Sequence, residues 1–219
     1  VGTPVVNGKP ILDHIDKIIT NISESTNIIL RSTVAPGTCD SLAKKHKRII
    51  WHAPERLLLG QGMDELNELP QIIGATTTDA SGDYVLSTMQ FTDNFAGTFP
   101  SFISGTALEA ECAKVSNNIV RYIEFATGTE LAEQFAAVGA NPRKVREMMT
   151  DGYKRGRLAF PSFVGSYCLD KDWHMLREAS GITPKMASAA ADYNLNLAHK
   201  LMNGLCKDKV VAILGLTYK

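Results

Sequence analysis

Asn27-Ile28-Ile29-Leu30-Arg31-Ser32-Thr33-Val34-Ala35-Pro36-Gly37-Thr38 decides how the first half of the chain is read. A strand-length apolar run, Asn27 to Leu30, is followed by a hydroxyl-bearing Pro-Gly loop and then by a helix over Cys39 to His46. A loop of this kind at a helix start is where open α/β sheets hold ligands, because the first backbone N–H groups of a helix have no partner within it. An ordinary cap of the helix by Thr38 accounts for the same residues.

Working outward, Ile11, Leu12, Ile15, Ile18, Ile19 and Ile22 recur at helical spacing upstream. Downstream, Ile49 to Ala53 reads as a strand that exits into Pro54-Glu55-Arg56-Leu57. Gln71 to Ala75 is a further strand and Asp79 to Met89 a further helix. Strand and helix thus alternate from residue 1 to about residue 100, which predicts a parallel, doubly wound, Rossmann-like sheet. No glycine-rich dinucleotide fingerprint occurs in it, so a Rossmann unit here would lack its first βαβ half. Val1 opens directly into an extended stretch and Lys209 to Leu216 reads as a strand, so both ends are expected to be interior to a longer protein.

After Ser104 the pattern turns helical. A long helix is expected from Thr106 to about Val138, stopping at Gly139, with Leu108, Cys112, Val115, Ile119, Tyr122 and Ala126 as its apolar stripe. Glu111, Lys114 and Asn118 fall together on the flank of that stripe, where one helix face can present all three. A salt-bridged surface edge would use the same residues. Asn141-Pro142 restarts a helix that runs to about Met149. The following loop, Asp151 to Ser166, carries Arg155, Arg157, Pro161 and Gly165. Loops of that length inside compact domains are uncommon, which favours a binding role. Cys168 comes next, ahead of Lys171 and a helix from Leu169 to Ala179. A thiolate is the attacking form of cysteine, and a cation or a helix N-terminus favours it, although a buried inert cysteine is the commoner state. Pro184 to Met202 is the last helix. His174 and His199 have no second ligand at metal spacing, so no metal site is expected.

Composition narrows the class. The 219 residues are 44% hydrophobic, enough for a folded core, and 23 basic residues balance 23 acidic ones. That balance disfavours a nucleic-acid partner or an anionic membrane surface. Four widely spaced cysteines without a CxxC pair or a secretory signal point to a reducing, cytoplasmic setting. No apolar run approaches the roughly 20 residues that cross a bilayer.

Taken together, Gly2-Thr3-Pro4, Ser32-Thr33-Val34 with Pro36-Gly37-Thr38, Pro54-Glu55, Glu111-x-x-Lys114-x-x-x-Asn118, Cys168-Leu169-x-Lys171-Asp172 and Leu214-Gly215-Leu216-Thr217-Tyr218-Lys219 form a pattern. In this order they resemble the NAD-dependent nucleotide-sugar 6-dehydrogenases, the UDP-glucose and UDP-N-acetylhexosamine dehydrogenase group. The resemblance implies an α/β fold followed by an all-α one. Residues 1–103 would be the second half of an NAD-binding domain, 104–206 a helical domain that dimerises through the long helix, and 207–219 the first strand of a nucleotide-sugar-binding domain. The cofactor fingerprint would lie upstream of Val1, and this piece alone would bind NAD poorly and turn over little.

The implied reaction oxidises the C6 alcohol of a UDP-sugar to a carboxylate, passing two hydrides in turn to NAD through a thiohemiacetal and a thioester on Cys168. Lys114 and Asn118 would stabilise the oxyanion, Asp172 with Thr33 would position water or act as base, and Glu55 would assist hydrolysis. Thr3, Pro4, Ser32, Thr33 and Lys171 are the implied cofactor contacts. Glu55, Lys114, Asn118, Arg155 or Arg157, Gly165 and Lys219 are the implied substrate contacts, one arginine reaching the sugar of the partner subunit in a homodimer. Two alternatives stay open: a two-electron dehydrogenase of the β-hydroxyacid type, and an inactive nucleotide-sugar-binding or dimerisation module.

Overall fold

The computed structural model describes residues 3–6, 9–56, 62–76, 89, 91–93, 101–162, 164, 168–205 and 210. The chain forms two compact units, residues 1–116 with 174–181 and residues 117–173 with 182–219.

The first unit opens with a small antiparallel pair, β1 (Val5–Val6) and β2 (Lys9–Pro10), followed by α1 (Asp13–Asn21). A sheet follows in the order β3 (Ile28–Leu30), β4 (Ile50–His52), β5 (Gln71–Ala75), β6 (Phe102–Thr106). α2 (Thr38–His46) joins β3 to β4, and α3 (Gly62–Glu68) lies between β4 and β5. Side-chain alternation along β3 and β4 supplies the two faces. Ile28, Leu30 and Ile50 pack with Ile15 and Ile19 of α1 and Cys39 and Leu42 of α2. Trp51, Ala53, Ile73 and Ala75 pack with Phe91 in a separate cluster. Both faces being covered is why these strands read as near-continuous apolar runs.

The sheet is not wholly parallel. β3 pairs with β4 and β5 with β6 in parallel, but β4 and β5 are antiparallel, with Trp51 opposite Ala75 and His52 opposite Gly74. Strand and helix alternation reports the kind and order of elements. Strand direction depends on where the returning chain enters the sheet, which is settled by packing. β6 is a further difference, because helix was expected from Thr106 after a pattern change at Ser104. Phe102-Ile103-Ser104-Gly105-Thr106 lies on the sheet edge, partly exposed, and so lacks the buried alternation that marks a strand.

The 31-residue α4 (Ala107–Ala137) begins in the first unit and passes into the second after Ser116. Its stop is legible. Gly139 takes φ +80°, its N–H bonds to the Ala136 carbonyl, and the Ala140 N–H bonds to that of Phe135, closing the helix in a Schellman arrangement. Asn141 then caps α5 (Pro142–Thr150) by accepting the N–H groups of Arg143 and Lys144. α6 (Leu169–Ser180) and α7 (Lys185–Leu205) complete the described helices. None of them is long and apolar enough to cross a membrane. The helix expected over 79–89 and the strand over 209–216 lie almost wholly outside the described residues.

Candidate active site

In the first unit the loop after β3 meets a carboxylate from far along the chain. The residue preceding α2 is Gly37, at φ +88°, and it offers no side-chain cap. Thr38 does not cap the helix as the loop suggested; it is its first residue, and its hydroxyl donates to the Ala35 carbonyl at 2.6 Å. Glu111 of α4 does the capping. Its carboxylate accepts the N–H of Gly37 at 2.6 Å and that of Cys39 at 2.7 Å, and the side chain is wholly buried. Burial pushes this carboxyl up from its ordinary range, while the N–H groups of Cys39 and Gly37 pull it back. Burial and the adjacent Glu111 push the Cys39 thiol strongly up, so Cys39 is an inert core thiol.

Ser32 and Thr33 are half-buried in that loop. Glu55, at the exit of β4, forms an ion pair with Arg31 at 2.6 Å, both side chains being over a third exposed. Thr3 is buried and its hydroxyl has no hydrogen-bond partner among the described residues, whereas Pro4 is exposed. Lys114 is half-buried on α4. His52, wholly buried on β4, is pushed down to about 4, chiefly by burial, with the Leu30 carbonyl opposing and the Lys114 charge adding to the shift.

The second unit holds the other half of the expected set. Asn118 of α4 and Asp172 of α6 are both buried, and the amide donates to the carboxylate at 2.6 Å. The second oxygen of Asp172 accepts from Lys171 Nζ at 2.6 Å, with the lysine side chain 11% exposed and that of Asp172 0%. A fully buried carboxylate is tolerable only when its oxygens are satisfied in this way. Cys168 stands immediately before α6 and is exposed, and its carbonyl accepts the N–H of Asp172, which places it at the positive end of the helix.

The loop ahead of the cysteine is strapped to the helices. Thr129 Oγ1 donates to the Ser162 carbonyl and accepts the Ser162 N–H. Arg146 Nε donates to the Leu158 carbonyl and its guanidinium stacks 3.7 Å over the Phe160 ring. The backbone of Ala159 comes so close to Gly128 that a Cβ there would lie 2.5 Å from its oxygen. Of the two candidate arginines, Arg155 sits over the Tyr153 ring, while Arg157 lines a cavity of about 460 Å³ with Glu124, Thr127 and Arg146. Gly165 and Lys219 lie outside the described residues. Among the described residues, no cluster of histidine, cysteine or acidic side chains could hold a metal ion.

Four contributors were not anticipated. Glu111 is read from its spacing as a flank residue, yet it is a buried cap. Tyr122 is read as part of the apolar stripe, yet its hydroxyl donates to Asp170 at 3.3 Å. Arg146 and Thr129 carried no motif signal, since their partners are backbone carbonyls distant in sequence.

Residues 108–196 match the family described as the UDP-glucose/GDP-mannose dehydrogenase family, central domain. The chain is 26% identical to the UDP-N-acetyl-D-mannosamine dehydrogenase of Pyrococcus horikoshii over 251 residues, covering 100% of this chain and 57% of the relative. It is 27% identical to the UDP-glucose 6-dehydrogenase of Rickettsia typhi, covering 100% and 55%. The fold is similar to that of the UDP-glucose dehydrogenase of Pyrobaculum islandicum, with a TM-score of 0.80 at 20% identity over 94% of this chain and 51% of that one. The chain thus spans a little over half the length of the curated relatives it matches. Residues 108–196 thus match the central domain of the UDP-glucose/GDP-mannose dehydrogenase family, and the curated relatives are similar to the chain from end to end.

Proposed function

We propose that the whole protein oxidises the C6 alcohol of a UDP-sugar to the uronic acid in two two-electron steps, with Cys168 as nucleophile. The observation that carries this reading is the buried Asn118–Asp172–Lys171 constellation beside an exposed cysteine at the head of α6. An inert structural cysteine needs neither exposure nor a buried, doubly satisfied carboxylate four residues on.

NAD would be held by Thr3, Pro4, Ser32, Thr33 and Lys171, and the buried Thr3 hydroxyl, which has no hydrogen-bond partner among the described residues, is a group fit for such a ligand. When bound, it would supply the acceptor for both hydrides. The Cys168 thiolate would add to the C6 aldehyde, forming a C–S bond and a thiohemiacetal oxyanion that Lys114 and Asn118 stabilise. Loss of the second hydride would leave a thioester. Asp172 and Thr33 would position water, Glu55 would assist its attack, and cleavage of the C–S bond would release the carboxylate and restore the thiolate. Arg157, which lines the cavity beside α4, is favoured over the ring-stacked Arg155 as the arginine reaching the sugar of a partner subunit. Gly165 and Lys219 complete the proposed substrate contacts. In this reading residues 1–103, 104–206 and 207–219 belong to three domains, and α4 builds a homodimer.

The test is the number of NADH formed per UDP-sugar consumed by the full-length protein, across a panel of UDP-hexoses, for wild type and Cys168→Ser. Two NADH per sugar, abolished by the serine, is the expected result. One NADH, insensitive to Cys168, would replace this reading with a simple two-electron oxidation, and none with any sugar would indicate a binding module.

A further inference from the structure

Asn118 and Tyr122 lie one turn apart on α4, and Asp172 and Asp170 flank Lys171 in the first turn of α6. The two pairs face each other, so that the head of α6 is joined to α4 by parallel hydrogen bonds: Asn118 to Asp172 at 2.6 Å and Tyr122 to Asp170 at 3.3 Å. Tyr122 is 1% exposed and among the largest fully buried side chains, with Asn194 of α7 beside its phenol. A phenylalanine would fill that space without burying a hydroxyl, which is costly unless bonded. Burial, opposed by Asn194 and aided by Asp170, pushes the phenol up from its ordinary range, so it remains a donor. Asp170 is itself exposed, and nothing in its burial requires a partner. What the bond accomplishes is to fix the rotation of the turn that begins at Cys168, whose carbonyl accepts the first helical N–H.

We propose that Tyr122 is a positioning residue for Cys168, acting through its hydrogen bond to Asp170 at the head of α6. The proposal rests on the reading of Cys168 as nucleophile. The bond from Asn118 holds the turn at Asp172; the bond from Tyr122, at Asp170, holds it two residues nearer the cysteine and favours one orientation of the thiol.

The test uses the full-length protein and the second-order rate of Cys168 alkylation by iodoacetamide at one pH, read on the Cys168 peptide by mass spectrometry. Tyr122→Phe is made in the wild-type, Asp170→Asn and Asp170→Ala backgrounds. In the first two, where a carboxylate or amide oxygen accepts the phenol, it should slow alkylation about three- to tenfold, the scale of one hydrogen bond. In the Asp170→Ala background it should have no effect. Tyr122→Phe should also lower kcat for UDP-sugar oxidation by a similar factor while KM holds. An unchanged rate in wild type, or equal slowing in the Asp170→Ala background, would overturn the proposal. Because alkylation does not depend on turnover, full activity of Cys168→Ser would remove the nucleophile reading without touching this measurement.

Discussion

Glu111 Oε1 accepts the backbone N–H of Cys39 at 2.7 Å across 72 residues of sequence, and its other oxygen takes the N–H of Gly37. A long helix thereby supplies the cap that the start of α2 lacks. Replacing Glu111 by Ala leaves two donors at the head of α2 without their acceptors. Each costs about 1–3 kcal/mol, so an overall loss of roughly 2–6 kcal/mol is expected in urea denaturation. Glu111→Gln keeps one acceptor oxygen and should lose about half as much.

His52 makes stability depend on pH. Its folded value, about 4, lies below its unfolded one, so the unfolded state binds the proton first on acidification. The contribution is fully present above about pH 6.5 and is lost as pH falls toward 4. The loss should reach ~3 kcal/mol at most. Chemical denaturation of wild type and His52→Gln at a series of pH values checks it: the variant should lack this part of the slope.

The Asn118–Asp172–Lys171 set should show unequal costs on truncation. Asn118→Ala removes one charge-assisted bond and should cost about 2 kcal/mol. Asp172→Ala removes the bonds from both Asn118 and Lys171 at once and should cost more, about 3–5 kcal/mol. Equal losses in denaturation would show that Lys171 does not depend on Asp172.

The approach of the Ala159 carbonyl leaves no space for a Cβ on Gly128. Gly128→Ala should therefore push the strapped loop outward, at a cost of about 1–3 kcal/mol. Limited trypsin digestion should cut at Arg155 and Arg157 several times faster than in wild type, while the melting curve stays cooperative.

Local pattern was enough to read much of the chain. Ile11 to Ile22, Gln71 to Ala75, the long helix with its stop at Gly139, and the restart at Asn141-Pro142 all follow from spacing, capping and the backbone freedom of glycine. The link of Asp172 to Cys168, whose carbonyl accepts the Asp172 N–H, was likewise visible as motif spacing. Only the tertiary structure decided that β5 runs against β4, that Glu111 rather than Thr38 finishes α2, and that Tyr122 uses its hydroxyl as well as its ring. Each of these depends on a group brought in from a distant part of the chain. Periodicity records which face of an element is buried. It carries no record of the partner that face will meet, because strand direction, distant caps and buried hydrogen bonds are selected by packing after the elements have formed.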